Sequence, residues 1–120
     1  MIIVLENIMV SKIKKQALKI CDAIKEFFKD KVTNVELVSE MINWSPDSFE
    51  IQFEAYNFFL VCFTYEMGFG FSIKTGDLYI GLPNSQNDWN KINLNKMFSE
   101  LQQELELRIP DKFLSNRGWV

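Results

Sequence analysis

In the stretch SFEIQFEAY, residues 48–56, Glu50 and Glu54 flank Gln52 and alternate with Phe49, Ile51 and Phe53. Paired carboxylates suit the hydrolysis of a glycoside when they stand roughly 5–9.5 Å apart. On one face of an extended chain, Glu50 and Glu54 are separated by about 13 Å, at ~3.3 Å rise per residue. That spacing is too wide for shared proton transfer, so the two acids read as a solvent-facing row. Other chemistry is equally poorly provided for. The chain has no histidine, which removes the usual general base, the usual zinc ligand and the base of a Ser/His or Cys/His pair. Gly68, Gly70 and Gly76 in MGFGFSIKTGD match neither the P-loop nor the dinucleotide-binding spacing and precede no helix. Glycines in such an aromatic strand mark a bulge or a neighbour packed over bare backbone. Asp88, Asn90, Asn93 and Asn95 cluster without the pattern of a calcium loop.

Cys21 and Cys62 are the two cysteines, far apart and each among apolar neighbours. They read as reduced, buried thiols behaving as small hydrophobes, and no CxxC spacing suggests metal or redox work. The expectation is a non-enzymatic protein with no cofactor and no metal site, in the cytoplasm. No apolar run approaches the ~20 residues needed to span a bilayer. The opening MIIVLENIMV lacks the basic flank and small-residue cleavage site of a signal peptide. Either Met9 is the true start or residues 1–9 begin the first helix.

Charge is distributed unevenly. The net charge of −3 arises from three segments of different character. Residues 1–31 hold seven lysines and four acids. Residues 32–73 hold Glu36, Glu40, Asp47, Glu50, Glu54 and Glu66 without one Lys or Arg. Residues 74–120 balance six of each sign. Seventeen residues are aromatic, and ten of these fall between Trp44 and Phe71. An acidic, aromatic-rich segment is poorly suited to phosphate, which needs clustered Lys and Arg, and suits a basic protein surface. Charge steers such encounters, and aromatics anchor them. The candidate partner-binding residues are therefore Glu36, Glu40, Trp44, Asp47, Glu50, Glu54, Tyr56 and Glu66. A solvated face that serves solubility alone is the competing interpretation. The Lys-rich face of the first helix reads as solvated, and neither nucleic acid nor membrane is an expected partner.

The elements that must position these residues follow from periodicity. Ile13, Ala17, Ile20, Ile24 and Phe27 recur at helical spacing over Ser11 to about Asp30, with Ser11 as N-cap. Val35 to Ile42 reads as a strand, WSPDS as a turn, and Phe49 to Ala55 as an alternating strand. Phe58 to Glu66 is apolar on both sides, as a central strand would be. Phe69, Phe71 and Ile73 alternate, KTGD turns, and Leu78, Ile80 and Leu82 complete the meander. After PNSQND, Asn93 caps a second helix with Leu94, Met97, Phe98, Leu101 and Leu105 on its apolar stripe, and Pro110 stops it. A terminal turn docks through Phe113, Leu114 and Trp119.

Short turns between successive strands require antiparallel neighbours. The expectation is one α+β domain over residues 1–120: two layers, with an antiparallel sheet of four or five strands and an N-terminal and a C-terminal helix on one face. Ile20, Ile24, Phe53, Phe63, Phe98 and Leu101 should be buried, leaving the opposite sheet face as the working surface.

The helix–meander–helix order, the acidic single domain, and GDLYIGLP followed by a helix and RIPDKFL resemble immunity proteins of contact-dependent inhibition and related polymorphic toxin systems. The likeness runs from about Lys12 to Trp119. That group spans several folds, and the resemblance transfers no binding residue. It implies a bacterial protein that binds and neutralises one toxin domain, often a nuclease with a basic cleft. An adaptor or assembly subunit would share these features. A small-molecule-binding α+β domain would instead need a concave aromatic pocket with convergent polar groups.

Overall fold

The computed structural model describes residues 2–41, 48–66, 69–83 and 92–119, with side chains described from residue 14 onward except at 39–41 and 66. Residues 1–31 contain neither glycine nor proline, and α1 runs unbroken over Ile2–Phe28. It therefore begins well before Ser11, which lies inside the helix and is not its cap. At the other end Lys29 takes φ 54, and a short 3-10 turn, Lys29–Lys31, leads directly into the sheet.

Five strands follow: β1 (Val32–Met41), β2 (Ser48–Ala55), β3 (Phe59–Glu66), β4 (Phe69–Thr75) and β5 (Leu78–Leu82). They form one antiparallel meander in the order β1-β2-β3-β4-β5. The first strand starts three residues earlier than the expected Val35, because Val32 is buried and Thr33 already pairs with Glu54. Its mixed pattern has a structural cause. Asn34 takes φ 53, and the register shifts between Thr33 and Glu36 and again between Leu37 and Ser39, so no single period fits VTNVELVSEM. Ile42 and residues 44–47 of the WSPDS turn lie outside the described residues, as do residues 84–88 of PNSQND, while Ser48 already belongs to β2.

Register explains the core. Phe53 pairs with Val61 and Val61 with Ile73; Ile51 pairs with Phe63 and Phe63 with Phe71; Phe49 pairs with Tyr65 and Tyr65 with Phe69. Paired residues point to the same side of a sheet, so one face carries three apolar rows. Phe63 meets Phe69 at 5.3 Å and Phe71 at 4.9 Å between ring centroids. From the helices, Ala17, Ile20, Ile24 and Phe28 of α1 join the same buried cluster. So do Met97, Phe98, Leu101 and Leu105 of α2 (Leu94–Glu106). Phe28 lies 6.3 Å from Phe53 and 6.0 Å from Phe98. All six residues expected in the core are buried.

At the start of α2 the Asn93 side chain accepts a hydrogen bond from the Lys96 N–H at 3.1 Å, as an N-cap does. The helix ends at Glu106, four residues before Pro110, so proline is not what stops it. Pro110 instead precedes α3 (Asp111–Asn116), where a residue with fixed φ and no N–H is tolerated. The terminal turn is thus a short helix, and Leu114 is buried beneath it.

Both thiols are buried, Cys21 on α1 and Cys62 on β3. Burial pushes each thiol's pKa up, which suppresses the reactive thiolate. A thiol reagent at pH 8 should therefore label neither cysteine in the native protein and both in denaturant; rapid native labelling would show that one is accessible.

Candidate functional site

The sheet face opposite the aromatic rows is built by the alternate residues. Its rows, read across the strands, are Glu54–Leu60–Lys74–Tyr79, Gln52–Cys62–Ser72–Gly81 and Glu50–Thr64–Gly70. β1 extends them, with Thr33 opposite Glu54, Glu36 opposite Gln52 and Ser39 opposite Glu50. Glu36, Glu50 and Glu54 are therefore collected at one end of this face by register alone. Glu36 and Glu54 are exposed and Glu50 is half-buried. The Gln52 side chain donates to Glu50 Oε2 at 3.1 Å, and the Thr33 hydroxyl donates to Glu54 Oε2 at 3.3 Å.

The other expected site residues fare differently. Glu40 pairs with Phe49, so the register does not align it with Glu50. Glu66 pairs with Ser48 at the end of β3, so the register sets it on the open face, in the row beyond Glu50 and Thr64. Trp44 and Asp47 lie outside the described residues.

Tyr56 is not a surface residue. It is completely buried, and the reason is the turn that follows β2. Tyr56 and Asn57 both have positive φ, 59 and 51, and the Phe58 N–H closes the turn onto the Ala55 carbonyl at 3.0 Å. A bulky residue with positive φ is disfavoured unless its surroundings hold it. Here three contacts do so. The Tyr56 N–H donates to the Lys31 carbonyl at 2.6 Å, its hydroxyl donates to Glu106 Oε2 at 2.6 Å, and Trp119 packs edge-on at 5.3 Å. Trp119 in turn donates its indole N–H to Asp30 at 3.3 Å. Tyr56 thus joins the β2–β3 turn to α2 and to the C-terminal segment.

Burial raises the Tyr56 pKa above the ordinary value of 10, and the Glu106 hydrogen bond and charge add to that shift. The fold favours the neutral phenol, so this contribution to stability is complete below pH 10 and declines as pH rises past it. Tyr56→Phe should lower stability at neutral pH by about 1.5–3 kcal/mol. It should also flatten the loss of stability above pH 10, measured by urea titration across pH. Parallel alkaline profiles for the two proteins would refute this role.

Two features of the open face escape a reading of the segments one at a time. The first is Lys74, which the register sets in the same row as Glu54, two strands away. Strands lie about 4.8 Å apart, so this cation falls within about 10 Å, near the Debye length. The acidic field is therefore bounded on the β4 side. Toward β5 the face turns neutral and aromatic, with the Lys74 ammonium 5.7 Å from the centre of the Tyr79 ring.

The second feature is Cys62, which has no exposure despite lying on the face opposite the core rows. Gln52 and Ser72 are its row neighbours, and its burial is the main reason its thiol pKa is raised.

Among the described residues, no three His, Cys, Asp or Glu side chains gather as a metal ion would require. No described helix is long and apolar enough to cross a membrane. A groove of about 490 Å³ is lined by Gln103, Glu106, Leu107, Ile109, Asp111 and Leu114 of the α2–α3 region. Another, of about 470 Å³, lies against Phe27, Phe98, Glu26 and Lys29. Neither is lined by the acidic row. The chain matches no family model, no curated protein and no solved structure.

Proposed function

We propose that this chain is a non-enzymatic, cytoplasmic binding protein whose acidic sheet end docks a basic protein partner. The partner we favour is a toxin domain, most simply a nuclease, which the chain neutralises as an immunity protein. The observation that carries the docking reading is the convergence of Glu36, Glu50 and Glu54 on one side of β1 and β2. No Lys or Arg lies between Val32 and Ile73 to offset them. The toxin assignment rests on the resemblance in chain order, charge and the GDLYIGLP and RIPDKFL stretches. In the same reading, α1 and α2 both cover the aromatic face of the sheet in a two-layer arrangement. Phe28 against Phe53 and Phe98 supports that layering. It leaves the acidic face free to meet a partner, with Trp44 and Asp47 as candidates to extend the surface.

A basic cleft that binds nucleic-acid phosphates presents clustered Lys and Arg. An acidic face set over that cleft would compete with the substrate while steering association. The test is recovery of the native partner, by capture on the immobilised chain and by co-expression with the product of the adjacent gene. A toxin encoded there should arrest growth alone, be neutralised by co-expression, and be blocked in vitro at about one to one. An adjacent product that the chain neither binds nor neutralises would sink the toxin assignment. A captured partner without toxicity would place the chain among adaptors.

A further inference from the structure

The two edges of the sheet are built differently. At β1, Asn34 has positive φ, the register shifts twice, and Glu36 is exposed. Irregularity and charge are how natural sheets prevent their edges from pairing with another chain. β5 has none of these defences. Leu78, Tyr79, Ile80, Gly81 and Leu82 contain no charge and no proline, and their pairing with β4 is regular. Leu78 is 71%, Tyr79 52% and Ile80 51% exposed. Among the described residues, nothing pairs with the outer edge of this strand.

Hydrogen bonding dictates which backbone groups face outward. Gly76 and Asp77 form a two-residue turn between Thr75 and Leu78, with Gly76 at φ 62, as the first central residue of a type II′ turn requires. The closing pair of such a hairpin exchanges hydrogen bonds, and bonded pairs then alternate along the ladder. Leu78, Ile80 and Leu82 therefore bond inward to Thr75, Ile73 and Phe71. Tyr79 and Gly81 present their N–H and C=O groups to the free edge.

We infer that β5 pairs with β5 of a second copy of this chain, antiparallel about a two-fold axis at Ile80, to make one continuous ten-stranded sheet. The strand is self-complementary in this register. Tyr79 meets Gly81 of the second copy twice by symmetry, and these are the residues with outward donors and acceptors. Open space lies where a Gly81 Cβ would be, so the Tyr79 ring of one copy covers the bare backbone of the other. On the opposite side, the exposed Leu78 faces the buried Leu82 of the second copy and the exposed Ile80 faces Ile80, which extends the apolar side of the sheet across the axis. No charged side chain within the strand opposes its like. An edge of this length buries at most about 1,000 Å² over both copies, the low end for a specific contact, so the dimer is weak. It is independent of the docking reading, because the acidic residues lie on β1 and β2, at the far side of each sheet.

Sedimentation equilibrium from about 1 µM to 1 mM tests this pairing. The wild-type mass should climb from 14.1 kDa toward twice that value. Ile80→Lys and Ile80→Glu should each remain monomeric, since either places like charges together at the axis. An equal mixture of the two should dimerise again, which misfolding could not produce. Amide exchange should protect the Tyr79 and Gly81 N–H groups in the wild type but not in Ile80→Lys. A wild type that stays monomeric to 1 mM, a lysine variant that dimerises as well as the wild type, or a mixture that does not reassociate would each overturn the proposal.

Discussion

Replacing Phe28 by alanine should cost about 3–5 kcal/mol of folding stability, the range for losing a buried aromatic ring. Phe28 is the last residue of α1 and the place where three elements meet. Its ring lies 4.9 Å from Phe27, 6.3 Å from Phe53 on β2 and 6.0 Å from Phe98 on α2. Those neighbours belong to separate elements, so they cannot collapse into the space without moving a helix against the sheet. A domain of this size is held by about 5–15 kcal/mol in all, and the loss would leave it marginal at 37 °C. Phe58 provides the contrast. It also touches two rings, Phe59 and Phe113, but it is 46% exposed. Phe58→Ala should cost clearly less, about 1.5 kcal/mol or below. Urea titrations should show the midpoint falling for both variants at nearly constant slope. Equal losses would mean that the α1–β2–α2 junction is not where the stability lies.

What the sequence made legible depended on whether the deciding interactions were local. The β2 alternation, the Asn93 cap and the α2 stripe are local patterns, and each is present in the structure as read. β1 starts earlier than its pattern suggests because bulges at Asn34 and after Leu37 break its period, and bulges are answered by the partner strand. Tyr56 shows the same limit more sharply. Its place at the end of FEIQFEAY suggested a surface aromatic, yet its hydroxyl is held by Glu106, fifty positions away. An Asn after a strand does hint at a left-handed turn, but nothing local points the preceding ring inward. The place of Lys74 on the acidic face is hidden in the sequence for a related reason. Lys74 stands one residue outside the segment without cations, and only the β2–β3–β4 register aligns it with Glu54. Segment charge is therefore a poor proxy for face charge until the pairing of strands is known.

That distinction sharpens what charge reversal on the open face should do. Glu50→Lys with Glu54→Lys changes the local charge by four at the end of the face remote from β5. If this end steers a basic partner, the association rate constant should fall about ten-fold or more at low salt, since steering contributes 10–10³ in rate. The loss should shrink as salt shortens the Debye length from about 10 Å at 0.1 M to 3 Å at 1 M. Dissociation should change less, because rim charges act mainly on encounter. The fold should survive. Glu54 is exposed, where substitutions cost within about 0.5 kcal/mol. Glu50 gives up a single hydrogen bond from Gln52, for about 1 kcal/mol. Lys74 makes the prediction asymmetric. Lys74→Glu removes the cation that bounds the acidic field, and it should speed association with the same partner. Reversal of the exposed lysines Lys14, Lys19 and Lys25 on α1 should leave the rate nearly unchanged. Stopped-flow binding at several ionic strengths separates these outcomes. A partner whose association is slowed by the α1 reversals and not by those at Glu50 and Glu54 would use the helical side, and the acidic end would then serve solubility alone.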